Sequence, residues 1–212
     1  PNGAGKTTTF NAICGVVQPS SGQVRLDGRN ISGLGTHKRA RLGIGRTFQR
    51  LEVFSSLTVR ENITLYGGIY GLADAEIRSR GDALLGGLDL MHVADKLVGT
   101  LPLGWKQKLS FSVAMLHQPD VVFLDEPTGG VDPVTRRQFW EMIYAAAARG
   151  TTVFVTTHYM DEAERCHRLA ILADGRIAAM GTPKALKAEF GVTSIDEVFV
   201  RLARPSAGQA AG

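Results

Sequence analysis

The sequence is poor in cysteine, in long apolar runs and in excess charge of either sign, and each shortage excludes a class of protein. Its two cysteines, Cys14 and Cys166, lack metal-ligand spacing, so we interpret both as reduced core residues of a cytosolic protein. No apolar run approaches the roughly 20 residues of a membrane-spanning helix, and no signal peptide is visible. The net charge of +4 is mild and the Lys and Arg residues are scattered, which argues against a nucleic-acid partner.

An initiator Met is also missing, as is a strand ahead of the first glycine-rich loop, so we expect the chain to be a fragment of a longer protein. Its 212 residues, 44% of them hydrophobic, suffice for the core of one domain, with or without an inserted subdomain. If the protein acts at a membrane, we expect another protein to cross the bilayer.

The first nine residues have the form of a phosphate-binding loop. Glycines let the backbone aim several N–H groups at one point, and a helix beginning near Lys6 adds the positive end of its dipole. Lys6 suits the terminal phosphates of a nucleotide, and the Thr7 hydroxyl suits the accompanying Mg²⁺. The leading glycine of the motif would precede Pro1, and the alternative interpretation is an ordinary turn beside a solvated lysine. The predicted phosphate-binding residues are Asn2, Gly3, Ala4, Gly5, Lys6, Thr7 and Thr8.

Turn, cap and breaker residues divide the chain into helices and strands. Two Asp-Gly pairs, Asp27-Gly28 and Asp174-Gly175, predict hairpin turns, and Thr58 with Glu61 has the spacing of a capping box. The predicted helices are 6–15, 36–41, 58–70, 133–149, 161–166 and 183–189. The predicted strands are 23–26, 44–49, 121–124, 151–156, 169–172 and 176–180.

The order of these elements predicts an α/β core with an insertion. Apolar residues in 57–118 recur at helical intervals with no strand among them, which indicates an all-helical insert. The run Val121 to Leu124 is continuously apolar, as expected for a strand buried on both faces of a parallel sheet. Residues 203–212 are small and polar, and we expect them to be disordered.

Four polar side chains follow strands of this predicted sheet, where ligands of α/β proteins bind. Asp125 suits a magnesium ion, because a hard cation prefers oxygen ligands. Glu126 is the candidate general base, and Gln49 can bind the metal or the attacking water. His158 can donate a hydrogen bond to a γ-phosphate or to Glu126. Taken singly, Gln49 is as well explained by a solvated loop and His158 by a structural role.

The ordered set of motifs resembles the nucleotide-binding domain of ATP-binding cassette (ABC) transporters. The motifs are a truncated Walker A loop (1–8), Gln49 in Thr-Phe-Gln-Arg, a Walker B strand (122–126), a D-loop (127–132) and His158 in Thr-Thr-His. The resemblance covers the chain to about Lys187. It implies a P-loop NTPase sheet core with an inserted α-helical subdomain at 57–118, in an ABC ATPase domain spanning 1–202.

The resemblance also implies ligands and partners. ATP and Mg²⁺ are the expected ligands, with Thr7, Gln49 and Asp125 at the metal, and ATP hydrolysis is the expected reaction. A second cassette is expected to dimerise head to tail around ATP, either as a homodimer or within a tandem chain. Residues 49–62 are expected to face the coupling helix of a transmembrane permease, which would place the protein in the cytoplasm at the inner or plasma membrane.

One segment departs from the family's pattern. Where the family has Leu-Ser-Gly-Gly-Gln, this chain has Leu101-Pro102-Leu103-Gly104-Trp105. Pro102 has neither the hydroxyl nor the N–H that binds the γ-phosphate of the opposite subunit, and losing two such bonds would cost about 3 to 6 kcal/mol. The alternative is that Gly104 and the helix N-terminus suffice while Trp105 packs on the partner.

The two halves resemble different branches of the family. Residues 41–58 look like the branched-chain amino acid importers, whereas the Pro102 variant and the stretches 125–133 and 156–164 look like ABC-2-type exporters. We expect an exporter ATPase because the second resemblance is longer. The alternatives are an importer ATPase, a soluble cassette ATPase that acts on ribosomes or DNA, and a regulatory cassette that binds ATP but hydrolyses it poorly.

Overall fold

The computed structural model describes residues 5–47 and 53–203, and its contacts divide the chain into two compact units. The first unit comprises Pro1–Thr9 and Thr156–Gly212, and the second comprises Phe10–Val155.

The helices of the described residues are α1 (Lys6–Cys14), α2 (Thr36–Ala40), α3 (Val59–Ile69), α4 (Asp74–Gly87), α5 (Leu103–Ala114), α6 (Pro133–Ala148), α7 (Met160–Ala163), α8 (Pro183–Phe190) and α9 (Ile195–Ala203). The strands are β1 (Arg25–Leu26), β2 (Arg29–Asn30), β3 (Ile44–Thr47), β4 (Val121–Asp125), β5 (Thr152–Thr156), β6 (Leu169–Ala173) and β7 (Arg176–Gly181).

The local signals that begin and reverse these elements are confirmed. The Thr58 Oγ1 accepts a hydrogen bond from the Glu61 N–H at 3.1 Å, and the Glu61 carboxylate accepts one from the Thr58 N–H at 2.7 Å, which completes the capping box of α3. In the β1–β2 and β6–β7 hairpins, both residues of each Asp-Gly turn have positive φ, as a type I′ turn requires.

The central sheet of the second unit has the order β3-β4-β5. β3 and β4 run parallel, with Ile44 opposite Val121 and Thr47 opposite Leu124. The strand β4 is buried almost throughout, which explains its continuous apolar sequence. Phe123 of β4 packs edge-on against Phe10 of α1, with ring centroids 4.9 Å apart. The predicted strand 44–49 is observed as far as Thr47, and its last two positions lie outside the described residues.

The stretch from 57 to 118 forms α3, α4, α5 and two short 3₁₀ turns, at Met91–Val93 and Val98–Thr100. Its described residues contain no strand, although one isolated β-bridge joins Thr58 to Leu97. The three helices share a core with the segment that precedes them. Its buried members are Val53, Val59, Ile63, Leu85, Leu90, Val93, Ala94, Val98, Leu101, Leu109, Val113 and Leu116.

The described part of the first unit packs α7, α8 and α9 against the β6–β7 hairpin, and it differs from the sequence predictions at two places. The helix α9 was missed, although Ile195, Val198 and Leu202 have helical spacing and the Ser194 hydroxyl accepts a hydrogen bond from the Glu197 N–H. As a result Ala203, assigned to the disordered tail, is the last residue of a helix. Residues 204–212 lie outside the described residues.

The predicted helix at 161–166 is also shorter than expected, since α7 ends at Ala163. The N–H groups of Arg165 and Cys166 bond to carbonyls three residues back rather than four, so the chain continues as tight turns. Within the described ranges, none of the helices combines the length and apolar character needed to cross a membrane.

Candidate active site

The predicted phosphate loop is described from Gly5 onward, and Asn2, Gly3 and Ala4 lie outside the described residues. Gly5 has φ of +91°, which favours glycine, and α1 begins at the next residue, Lys6. The N–H and the hydroxyl of Thr9 both donate to the Gly5 carbonyl, at 2.8 and 2.9 Å. Lys6 and Thr7 are half-buried in the first turn of α1 and Thr8 is exposed, which places all three where an anion would meet the helix N-terminus.

The C-terminus of α1 is held by Arg39, a residue that the sequence did not single out. Its side chain is only 2% exposed, and its guanidinium donates four hydrogen bonds to backbone carbonyls. The acceptors are Leu34 O at 2.8 Å, Ala12 O at 2.8 Å, Ile13 O at 2.5 Å and Ser32 O at 2.9 Å. A buried cation on the last carbonyls of α1 complements the negative end of the helix dipole. A Cβ at Gly15, just after the helix, would come within 2.9 Å of the Arg39 Nε.

The two predicted acids lie at the end of β4 and differ in environment. Asp125 is 1% exposed, whereas Glu126 is half-buried. Glu126 has φ of +47°, a left-handed conformation that is costly for a residue with a Cβ. Its carbonyl accepts a hydrogen bond from the Gly129 N–H at 3.1 Å, which closes a turn immediately after the acid.

The N-terminal half of α5 packs on the segment that follows this turn. Gln107 donates a hydrogen bond from its Nε2 to the Gly129 carbonyl at 3.0 Å. A Cβ added to Gly104 would come within 2.6 Å of the Thr135 Cγ2, and one added to Gly130 would meet a methyl group of Leu103 at 3.6 Å. The absence of a Cβ at Gly104 is therefore required by packing inside the chain, a role separate from the approach to phosphate predicted from the sequence.

Pro102 is the N-cap residue of α5 and is exposed, with no side-chain hydrogen bond to the helix. Trp105 is partly buried against the helical core of 57–118, and its packing on a partner stays a prediction. Its ring meets that of His92 nearly at a right angle, with centroids 5.4 Å apart. This intramolecular contact assigns Trp105 a role in the stability of the helical segment.

His158 lies in the first unit, two residues after the end of β5. Its ring packs against that of Tyr159 with centroids 4.1 Å apart. The residue before it, Thr157, donates a hydrogen bond from its hydroxyl to the buried carboxylate of Glu162 at 2.7 Å and accepts one from the Tyr159 N–H at 2.9 Å. These bonds fix the backbone on both sides of His158, and neither Thr157 nor Glu162 was identified from the sequence.

Gln49 lies outside the described residues. Within 5–47 and 53–203, no three His, Cys, Asp or Glu side chains come together as a group that could hold a metal ion. Nucleotide-bound Mg²⁺ is typically held by one or two protein oxygens together with phosphates and waters. The Thr7 hydroxyl and the buried Asp125 carboxylate are oxygen donors of this kind.

Comparison with known families agrees with the motif order. The model of the family described as ABC transporter matches residues 1–129. The probable multidrug ABC transporter ATP-binding protein of Escherichia coli (strain K12) is 41% identical over 189 residues, which is 89% of this chain and 32% of that protein. The Nod factor export ATP-binding protein I of Paraburkholderia xenovorans (strain LB400) is 40% identical over 200 residues, 94% of this chain and 65% of that protein. The chain therefore spans about a third of the first relative and less than two thirds of the second.

Solved structures of similar fold are also ATP-binding subunits or ATP-binding cassettes. The ATP-binding subunit of an ABC transporter superposes with a TM-score of 0.83 at 31% identity, over 95% of this chain and 85% of that one. A dimeric ATP-binding cassette in a post-hydrolysis state, bound to ADP and Pi, superposes with a TM-score of 0.75 at 26% identity, over 86% of this chain and 82% of that one. These likenesses confirm the predicted α/β P-loop NTPase fold.

Proposed function

Because the chain belongs to the ABC transporter family, we propose that it is an ATP-binding and ATP-hydrolysing cassette that powers export through a transmembrane permease. The observation that carries the proposal is the end of β4, where a buried Asp125 is followed by a more accessible Glu126 in a constrained backbone conformation. ATP hydrolysis needs one acid to bind the metal and one to activate water. The buried Asp125 suits the metal, and the more accessible Glu126 suits the water.

In this proposal the backbone of the phosphate loop and Lys6 bind the phosphates of ATP. Thr7, Gln49 and Asp125 provide oxygen ligands for Mg²⁺, which would neutralise charge on the transferred phosphate. The position of Asp125 at the carboxyl end of β4 supports this assignment, because ligands of parallel sheets bind at that edge and Mg²⁺ prefers oxygen ligands. The remaining residues assigned to phosphate binding are Asn2, Gly3, Ala4, Gly5 and Thr8.

We assign water activation to Glu126, with Gln49 orienting the water and His158 stabilising the transition state. Glu126 is more accessible than Asp125, as a base that must reach a water molecule should be. The hydrogen bonds around Thr157 support the role of His158, because they fix the backbone from which the imidazole extends.

The proposed partners are a second cassette and a permease. A permease contact is supported by apolar side chains left exposed around α3: Phe54 is 48% exposed and Ile69 is 51% exposed, with Leu65 one turn before Ile69 on the same helix face. A second cassette is supported by the dimeric form of the structural relative and by the exposed start of α5 at Pro102. The corresponding location is the cytoplasmic face of the membrane.

Export is the proposed direction because one relative that matches most of this chain is named a Nod factor export ATP-binding protein, and another is named a probable multidrug ABC transporter ATP-binding protein. The importer alternative rests on the stretch from 41 to 58, part of which lies outside the described residues. The extent of the cassette, 1–202 with its helical subdomain at 57–118, remains part of the proposal.

The test is steady-state ATP hydrolysis by the full-length protein and its Glu126→Gln variant. We expect turnover to fall by at least about 100-fold while ATP affinity is retained, because a general base contributes roughly 10² to 10⁴ in rate. Persistent hydrolysis by the variant would remove Glu126 from its role. Binding without turnover in the wild type would favour the second candidate, a regulatory cassette weakened at Pro102.

A further inference from the structure

A chain of two hydrogen bonds joins the helical segment to the turn that carries Glu126. Gln107, in the second turn of α5, donates from its Nε2 to the Gly129 carbonyl at 3.0 Å. Gly129 in turn donates its N–H to the Glu126 carbonyl at 3.1 Å. Gly129 therefore links the Gln107 side chain to the backbone of Glu126, the proposed general base, although Gln107 lies on a different element.

The backbone at Glu126 needs such support. A non-glycine residue with φ of +47° holds that conformation only where its surroundings determine it. The turn from 126 to 129 is closed by one backbone hydrogen bond, and the Gln107 amide fixes the carbonyl at its far end. If that amide were absent, the turn could relax and the carboxylate of Glu126 would change its direction.

The packing around Gln107 holds it against this turn. Close contact of Gly104 with Thr135, one turn earlier on α5, allows no side chain between α5 and the start of α6. The Gln107 Oε1 is buried and accepts no hydrogen bond from any described residue, so the bond to Gly129 is the one that orients the amide.

We propose that Gln107 is a positioning residue for Glu126, through which the helical segment controls the hydrolytic step in its own chain. The proposal rests on the proposed function, since it requires Glu126 to act as the base. A displacement of the base affects the chemical step and leaves phosphate binding unchanged. Gln107 therefore contributes to kcat and not to nucleotide affinity.

The test compares Gln107→Met with Lys106→Met in the full-length protein. The two positions are adjacent on α5, and each side chain donates one hydrogen bond to a backbone carbonyl, but the Lys106 bond goes to Gly99 at 2.8 Å and not to the turn after Glu126. We expect Gln107→Met to lower kcat about three- to tenfold, as the loss of one hydrogen bond implies. The ATP dissociation constant and the urea unfolding midpoint of Gln107→Met should match those of Lys106→Met. The control Lys106→Met should keep the wild-type kcat.

The possible results separate this inference from the proposed function. If the wild type hydrolyses ATP and both variants have the same kcat, Gln107 does not position Glu126, although the cassette assignment survives. If Gln107→Met loses kcat, ATP affinity and stability together, its role is structural only and the inference is wrong. If the wild type lacks turnover that depends on Glu126, the proposed function itself fails.

Discussion

Replacing Arg39 by Met tests whether this buried guanidinium anchors the phosphate-loop helix. Methionine is similar in length and apolar, so the variant removes the donors with little change in volume. Four backbone carbonyls, among them Ala12 O and Ile13 O at the end of α1, then lose the guanidinium donor, although Ala12 O keeps a hydrogen bond from the Gly15 N–H at 3.2 Å. Each unsatisfied buried acceptor costs about 1 to 3 kcal/mol, although water can reach part of the vacated site.

We therefore expect Arg39→Met to lower the free energy of unfolding by about 3 to 5 kcal/mol, a large share of the roughly 5 to 15 kcal/mol of a typical domain. Arg39→Lys should lose about 1 to 3 kcal/mol, because an ammonium has three donors for four acceptors. Arg41→Met is the matched control: the side chain of Arg41 is exposed, and its replacement should change stability by less than about 0.5 kcal/mol.

The assay is urea unfolding followed by circular dichroism, with the m-value checked so that a change in midpoint can be interpreted as a change in stability. The order expected is Arg39→Met least stable, then Arg39→Lys, then Arg41→Met close to the wild type. If Arg39→Met unfolds at the same urea concentration as Arg41→Met, the four hydrogen bonds contribute nothing and the anchoring argument is refuted.

Two further predictions concern packing and pH. Gly104→Ala should destabilise the protein by about 1 to 3 kcal/mol, because the added Cβ would come within 2.6 Å of the Thr135 Cγ2. The control Gly86→Ala, on α4, should be neutral or stabilising, because its Cβ would meet nothing within 4 Å. Equal urea unfolding midpoints for the two variants would contradict this prediction. Burial, with a smaller contribution from the Arg80 charge, lowers the pKa of His117 from 6.5 to about 4. The unfolded chain therefore takes up a proton between these values that the folded chain does not, so stability should fall as the pH drops from about 6.5 to 4, and His117→Gln should lose this part of the pH dependence in acid-titrated urea curves.

Features set by neighbouring residues were predictable from the sequence. The capping box at Thr58 and Glu61 and the two Asp-Gly turns depend on a few adjacent side chains, and each is found where the pattern indicated. The buried strand β4 was equally clear, because a strand covered on both faces is apolar at every position. The helix α9 was missed although the spacing of Ile195, Val198 and Leu202 was present in the sequence and Ser194 precedes it as a cap residue.

Contacts between distant segments were not predictable in this way. Arg39 lies in a short basic stretch typical of a solvated surface, and only the arrival of the α1 C-terminus and the segment from 32 to 34 around it buries the guanidinium. Gly104 was noticed as part of a motif and Gln107 lies two residues beyond that motif, but their contacts with Thr135 and Gly129 depend on how α5 packs on the segment after β4.

The parallel pairing of β3 with β4 has a consequence for synthesis of the chain. Ile44 of β3 can pair with Val121 of β4 only after Val121 has been synthesised. At a translation rate of about 5 to 20 residues per second, β3 therefore lacks this neighbour for about 4 to 15 s. The helices α3 to α5 emerge during that interval and can form on a microsecond timescale from local contacts. The nascent chain therefore presents a strand edge beside a folded helical segment, the kind of intermediate that chaperones bind and that aggregates when they are scarce.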